Sequence, residues 1–224
     1  MSASSEPARL SDLFASAVHR FGAVWPDLLV VSVIGTVVAG LPAVILHANG
    51  RPATTVYVVT ALAYGVAYFA FVGFVVLRGL PTAAARGQVV STYATATVVG
   101  LVTGLLLLFL QPFVVVVIPF FLLAVPAVAA GDRSPAGGLA RGVTLALSNF
   151  QRTWAVWLVI MVFSAPVMIS MFLVVSAFSG GMAAQILALA CSVPIVWPFS
   201  ALFIRALYGD LTGRRVLAAE DRTT

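Results

Sequence analysis

Long runs of apolar residues with no internal alternation set the pattern of the chain. Six of them stand out, at 28–46, 56–77, 89–110, 113–130, 154–178 and 182–207. Strict alternation would suggest strands, and a continuous run of this length suggests a helix. Crossing the hydrocarbon of a bilayer takes about 20 helical residues, so each run predicts one span. No charged residue occurs between Gln88 and Asp132. A single helix over that stretch would be about twice too long, and Gln111-Pro112 supplies a polar, helix-breaking pair near its middle. The pattern therefore predicts a tight hairpin between the third and fourth spans.

Two further segments are amphipathic and too polar to cross. In the first, at 8–25, Leu10, Phe14, Ala17, Val18, Phe21 and Trp25 recur at helical spacing, with Ser11, Asp12, His19 and Arg20 off that stripe. In the second, at 135–152, Leu139, Val143, Ala146, Leu147 and Phe150 form the stripe, opposite Arg141, Thr144, Ser148 and Arg152. Ser134-Pro135 reads as an N-cap followed by a first-turn proline. Both segments are expected to lie as helices in the cytoplasmic interface. At an offset of 129 residues Leu10 matches Leu139, Ala17 matches Ala146, Phe21 matches Phe150 and Trp25 matches Trp154. That is the pattern of a weak parallel duplication of an interfacial helix and a hairpin.

Composition turns the pattern into a class. Apolar side chains make up 62% of the 224 residues and charged ones 8%. A water-soluble surface needs about a quarter charged residues. The chain must use lipid as its solvent, where only helices or closed barrels satisfy the backbone. The expected fold is an all-α polytopic bundle forming one domain over 1–224: spans one to four within 28–130, spans five and six within 154–207, and a tail at 208–224. Glu6, Asp12 and Asp27 within the first 27 residues argue against a cleaved leader, so the first span reads as retained.

All twelve basic residues are Arg, which with the Ala and Val richness suggests a high-GC bacterial genome. If the N-terminus is cytoplasmic, the inner segments hold Arg9, Arg20, Arg78, Arg86, Arg133, Arg141, Arg152, Arg205, Arg214, Arg215 and Arg222, and the outer loops hold Arg51 alone. This is the positive-inside bias of a bacterial inner-membrane protein with both termini in the cytoplasm. It explains the net charge of +5 without invoking nucleic acid. Trp25, Tyr57, Trp154 and Tyr208 fall at span ends, where interface anchors belong.

Candidate chemistry is sparse. No ionisable residue lies in the central part of any span, which argues against proton relays and ion paths. There is no H-E-x-x-H, no paired aspartate and no Ser/His couple in facing spans, so no catalytic residue, metal or cofactor is expected. His19 and His47 read as wetted interface residues, and Cys191, the single cysteine, as a small packed residue. Thr92, Ala96, Gly100 and Gly104 recur every four residues and predict a close helix-packing stripe. Ala184, Ala188 and Ser192 form a second. Pro119, Pro126, Pro166, Pro194 and Pro198 predict kinks that neighbouring helices tolerate, and Met161, Met168 and Met171 read as core fill. Arg141, Arg152, Arg205, Arg214 and Arg215, with Tyr208 as anchor and Asp210 orienting one arginine, form a candidate docking surface for anionic lipid or an acidic partner.

One resemblance bears on the class. A span ending Val125-Pro126-Ala127-Val128 leads to Gly131-Asp132-Arg133-Ser134-Pro135, then to an amphipathic segment with Arg141 and Asn149-Phe150, and the last span closes on Leu207-Tyr208-Gly209-Asp210-Leu211. This order resembles the bacterial six-helix membrane proteins grouped with the membrane domain of glycerophosphoryl diester phosphodiesterases. In that family the closing pattern continues with Arg, where this chain has Thr212, and the namesake's catalytic domain has no counterpart here. The resemblance implies a fold and a location and no reaction. Two functions are thus expected: a non-enzymatic scaffold or accessory subunit of a membrane complex, or a transporter or binder of lipid or a small apolar solute. The partners would be membrane lipids, other membrane subunits or a second copy of the chain.

Overall fold

The computed structural model describes residues 9–80, 82–109, 111–131, 134–177 and 181–213. Arg133, Arg214, Arg215, Arg222 and most of the expected tail lie outside them, as does the side chain of Ala184. The described residues form eight helices: α1 (Leu10–Ala48), α2 (Ala53–Arg78), α3 (Thr82–Phe109), α4 (Gln111–Phe121), α5 (Ala124–Ala129), α6 (Pro135–Ser148), α7 (Phe150–Ser176) and α8 (Gly181–Leu211). α1, α2, α3, α7 and α8 are long and apolar enough to cross a membrane, so the chain is an all-α, multi-pass membrane protein.

The fourth expected span is the exception. It is split at Leu122–Leu123 into α4 and α5. Pro126 accounts for the break, because its ring clashes with the carbonyl four residues back, that of Leu122, and it has no N–H to offer it. Together the two pieces still carry the chain back from the far end of α3, since Val125 of α5 sits beside Gly73 near the end of α2.

The prolines in the long helices leave those helices continuous. Pro198 cannot donate to the carbonyl of Pro194. The Ser32 hydroxyl of α1 lies 3.5 Å from that oxygen but directs its shorter bond, 2.9 Å, to the Leu29 carbonyl of its own helix.

The small-residue stripe of α3 packs within the bundle. Thr92 and Ala96 are fully buried. A Cβ on Gly100 would collide with the backbone of Gly65 and Val66, and one on Gly104 would sit 3.0 Å from Leu62. α2 and α3 therefore run antiparallel with their backbones in contact. α5 and α6 repeat the device, Gly138 against Val128 and Gly142 against Ala124.

α6 buries most of the expected stripe: Ala146 is buried, Leu139 packs against the core and Val143 is half-buried, with Arg141, Thr144 and Ser148 exposed opposite. Leu147 and, past the end of α6, Phe150 are the exposed members. The closest contacts are made by Gly138 and Gly142 beside that stripe, because backbone-to-backbone approach needs small residues. Ser134 does cap α6, accepting from the Gly137 N–H at 3.0 Å.

The first amphipathic segment is no separate helix. It continues through Pro26 into the first span as one helix, α1, burying Leu13 and Ala17 and placing the Phe14 ring 5.9 Å from Phe199 and 6.2 Å from Phe203 of α8. The matching segment breaks at Asn149 and packs on α5, so the two halves of the suggested duplication take different neighbours. α8 is the central helix, packed on α1, α7 and α2, and nearly every residue from Trp197 to Tyr208 is buried. α7 lies outside it, with the Phe163 ring tilted against Phe199 at 4.1 Å, and its second half exposes Ile169, Phe172, Leu173 and Val174.

Candidate functional site

The charged residues gather at one end of the bundle, and they are mostly spoken for. Arg152, in the first turn of α7, forms an ion pair with Asp210 of α8 at 2.7 Å. Asp210 thus contacts one of the arginines of the candidate docking surface. Arg78 pairs with Asp27 at 2.5 Å on an exposed surface. These contacts join α1 to α2 and α7 to α8 at that end.

Arg205 departs from expectation. In place of reaching the interface it is buried, 9% exposed, and donates through Nη1 to the Val75 carbonyl at 3.3 Å. Its guanidinium lies over the C-terminus of α2, where a cation is favoured by the helix dipole. Any side chain at Gly79 would collide with it. Beside it lies a cavity of about 300 Å³ lined by Val24, Leu28, Val75, Arg78, Leu202 and Arg205.

Tyr208 is likewise core and not anchor, at 1% exposure, while Trp25 and Tyr57 are exposed as anchors should be. Arg141 is exposed on α6, and Arg214 and Arg215 are outside the described residues. Cys191 is exposed rather than packed. Among the described residues no group of three His, Cys, Asp or Glu could hold a metal.

The larger feature lies elsewhere. A cavity of about 530 Å³ is bounded by α2, α3, α7 and α8, with Ile118 of α4 also in its lining. On α2 it extends from Val56 to Phe69, about 20 Å of helix at 1.5 Å per residue. It arises because α2 is held against α3 by glycines while α7 packs mainly on α8. Trp197 forms part of the wall, with Tyr64 and Tyr68 edge-on to it at 6.1 and 5.8 Å. Met161 and Met168, expected as core fill, line the cavity together with Trp157 and Ile160.

Among the described residues no charged side chain lines this space, and the polar groups there are hydroxyls and indoles. Most hydroxyls are satisfied within the protein. Thr60 donates to the Val56 carbonyl at 2.6 Å, Ser192 to that of Ala188 at 2.5 Å, and Ser200 to that of Trp197 at 3.0 Å. Tyr68 donates to Ser200 at 3.2 Å. Two are not: Thr103 Oγ1 on α3 and Ser164 Oγ on α7 are buried without a partner.

The sequence placed a possible cavity in the kinked fourth to sixth spans, and the one observed takes Ile118, α7 and α8 from that set but also the wall of α2 and α3, which the sequence did not indicate. Thr103 and Ser164 lie in separate spans as isolated small polar residues, and nothing in their spacing sets them apart from Thr36 or Thr95, which bond back to their own helices at 2.7 and 2.8 Å. The wall of Tyr57, Thr60, Tyr64 and Tyr68 at helical spacing on α2 was the one available signal. Compared with family models, with curated proteins and with solved structures, the chain matches none.

Proposed function

We propose that this protein is a non-enzymatic membrane protein that binds a lipid chain or a small apolar solute within its bundle, as a carrier or an accessory subunit. The observation that carries the reading is the cavity of about 530 Å³ between α2–α3 and α7–α8, free of charge and lined by aromatic, aliphatic and hydroxyl side chains. Its size and lining are those of a small-molecule site. An unfilled apolar void of that size would leave many dispersion contacts unmade.

The proposed setting is a bacterial inner membrane with the arginine end in the cytoplasm, which puts the cavity in the opposite half of the bilayer. The resemblance to the membrane domain of glycerophosphoryl diester phosphodiesterases accords with such a location and adds no substrate.

Mass spectrometry of the full chain, purified in mild detergent, tests the reading. A stoichiometric apolar molecule should be retained, and it should be lost in Ser164→Phe, whose ring fills the cavity. A wild-type protein with no bound molecule would sink it.

A further inference from the structure

The arginine end of the bundle holds a second void, and its chemistry is the reverse of the first. Arg78 and Arg205 both line the cavity of about 300 Å³ there, and Val24, Leu28, Val75 and Leu202 make the rest of its wall. Among the described residues the two arginines are thus the only polar side chains on that wall, and no carboxylate belongs to it. Arg205 is held in place, with Nη1 donating to the Val75 carbonyl at 3.3 Å and the guanidinium resting against Gly79, where a Cβ would leave it no room. Gly79 directly follows Arg78, so both cations come to the last turn of α2. The Val75 carbonyl is neutral, and a helix C-terminus offers only about half a negative charge, so neither offsets a full guanidinium charge. Asp27 meets Arg78 on the exposed surface, outside the cavity wall. An arginine buried in a membrane bundle is costly and ordinarily answers to a function.

We infer that this smaller cavity is an anion site holding a phosphate group, carried by the head group of a membrane lipid or present as free phosphate. The inference stands apart from the larger cavity and its ligand. Two like charges on one void repel, and an anion between them turns that repulsion into attraction. The planar fork of arginine matches phosphate oxygens two at a time, and a tetrahedral phosphate offers oxygens to guanidiniums that approach from different helices. The volume lies at the lower end of the range for ligand sites, about 300–1,000 Å³, which suits a head group and leaves the acyl chains outside. Val24, Leu28 and Leu202 then meet the carbon attached to the phosphate. Trp25, exposed on α1 beside Val24, belongs at the level of the membrane interface, where lipid phosphates lie. Basic pockets between membrane helices hold anionic head groups through contacts of this kind.

Thermal unfolding of the full chain in detergent, titrated with each probe, gives the affinities, because a ligand of the folded state raises the unfolding temperature. The probes are short-chain phosphatidylglycerol, diacylglycerol with the same chains, and inorganic phosphate. Phosphatidylglycerol should bind the wild type about a hundredfold more tightly than diacylglycerol, at about tenfold per arginine. Arg205→Met and Arg78→Gln should each lower that preference about tenfold. Arg78 is 44% exposed in its side chain, so its variant folds and carries the test even if Arg205→Met does not. Arg86→Gln, exposed on α3 and outside the cavity wall, should leave the preference unchanged. Inorganic phosphate that binds as tightly as phosphatidylglycerol identifies the free ion as occupant, and weaker phosphate identifies the lipid. Equal affinity for the two lipids with no response to phosphate overturns the site. So does a preference that survives both cavity substitutions, or one that falls as far in Arg86→Gln, since surface charge alone would then explain it.

Discussion

Helix α2 meets two neighbours in opposite ways. Toward α3 its backbone touches another backbone, Gly65 against the Gly100 carbonyl, so closely that a Cβ at Gly65 would lie 2.5 Å from that oxygen. Toward α8 its Tyr64 and Tyr68 rings stand edge-on to Trp197 and, with Phe69, line about 530 Å³ of space. The difference shows how a membrane bundle makes a cavity. Lipid tails are as apolar as leucine, so helices associate where small residues allow close packing and not wherever apolar surface is available. A helix pinned by glycines on one side can stand away from its neighbour on the other, with large aromatics as the walls of the gap.

The sharpest way to break the comparison is to put bulk into the close side. Gly100→Leu would drive a branched side chain into Val66 and Gly65, and should destabilise the protein by about 3 kcal/mol or more, read as a large fall in thermal unfolding temperature in detergent. Gly142→Leu should do the same to α5 and α6, since a Cβ there meets the backbone of Ala124. If either variant unfolds like the wild type, the helices can separate freely and close packing does not hold the bundle.

Bulk on the open side should behave oppositely. Thr103→Leu places a larger apolar residue where there is room and removes an unpartnered hydroxyl. Without ligand its stability should be equal to the wild type or up to about 1 kcal/mol higher. A drop comparable to that of Gly100→Leu would show that the gap is closed in the working protein.

The arginine end provides an intermediate case. Arg152→Gln and Asp210→Asn should each cost on the order of 1 kcal/mol, with a double-mutant cycle showing that most of it is shared. The pair is partly exposed, at 30% and 14% for the two side chains, and falls between surface and buried pairs. Additive effects would mean that the contact is incidental.

The smallest effect expected is that of Ser32→Ala. It removes a buried hydroxyl that bonds to the Leu29 carbonyl at 2.9 Å and lies 3.5 Å from that of Pro194, and should cost about 0.5 kcal/mol. Unchanged stability would mean that neither carbonyl depends on it.

Much of the architecture was legible before any coordinates. The apolar runs identify the five long helices, and Thr92, Ala96, Gly100 and Gly104 identify a packing face, because period and residue size are local properties. Ser134 and Pro135 mark the start of α6 for the same reason. The apolar stripe of α6 was right in Leu139, Val143 and Ala146 and wrong in Leu147, which faces outward, and it did not show that Gly138 and Gly142 make the closest contact. Arg205 misled because its place near the end of the sixth span suggested that it reaches the interface, whereas its partner, the Val75 carbonyl, is 130 residues away in sequence.

What the sequence by itself determined is the solvent, the class of fold and the places where helices can touch. These follow from how apolar each run is and where its glycines fall, and neither depends on any other part of the chain. The tertiary structure alone decided where the helices do not touch. Thr103 and Ser164 belong to spans 61 residues apart, and they share a cavity because α3 is held by α2 while α7 is held by α8. A void has no residues of its own, so no local pattern can encode it. It exists only as the space left after every close contact in the bundle has been made.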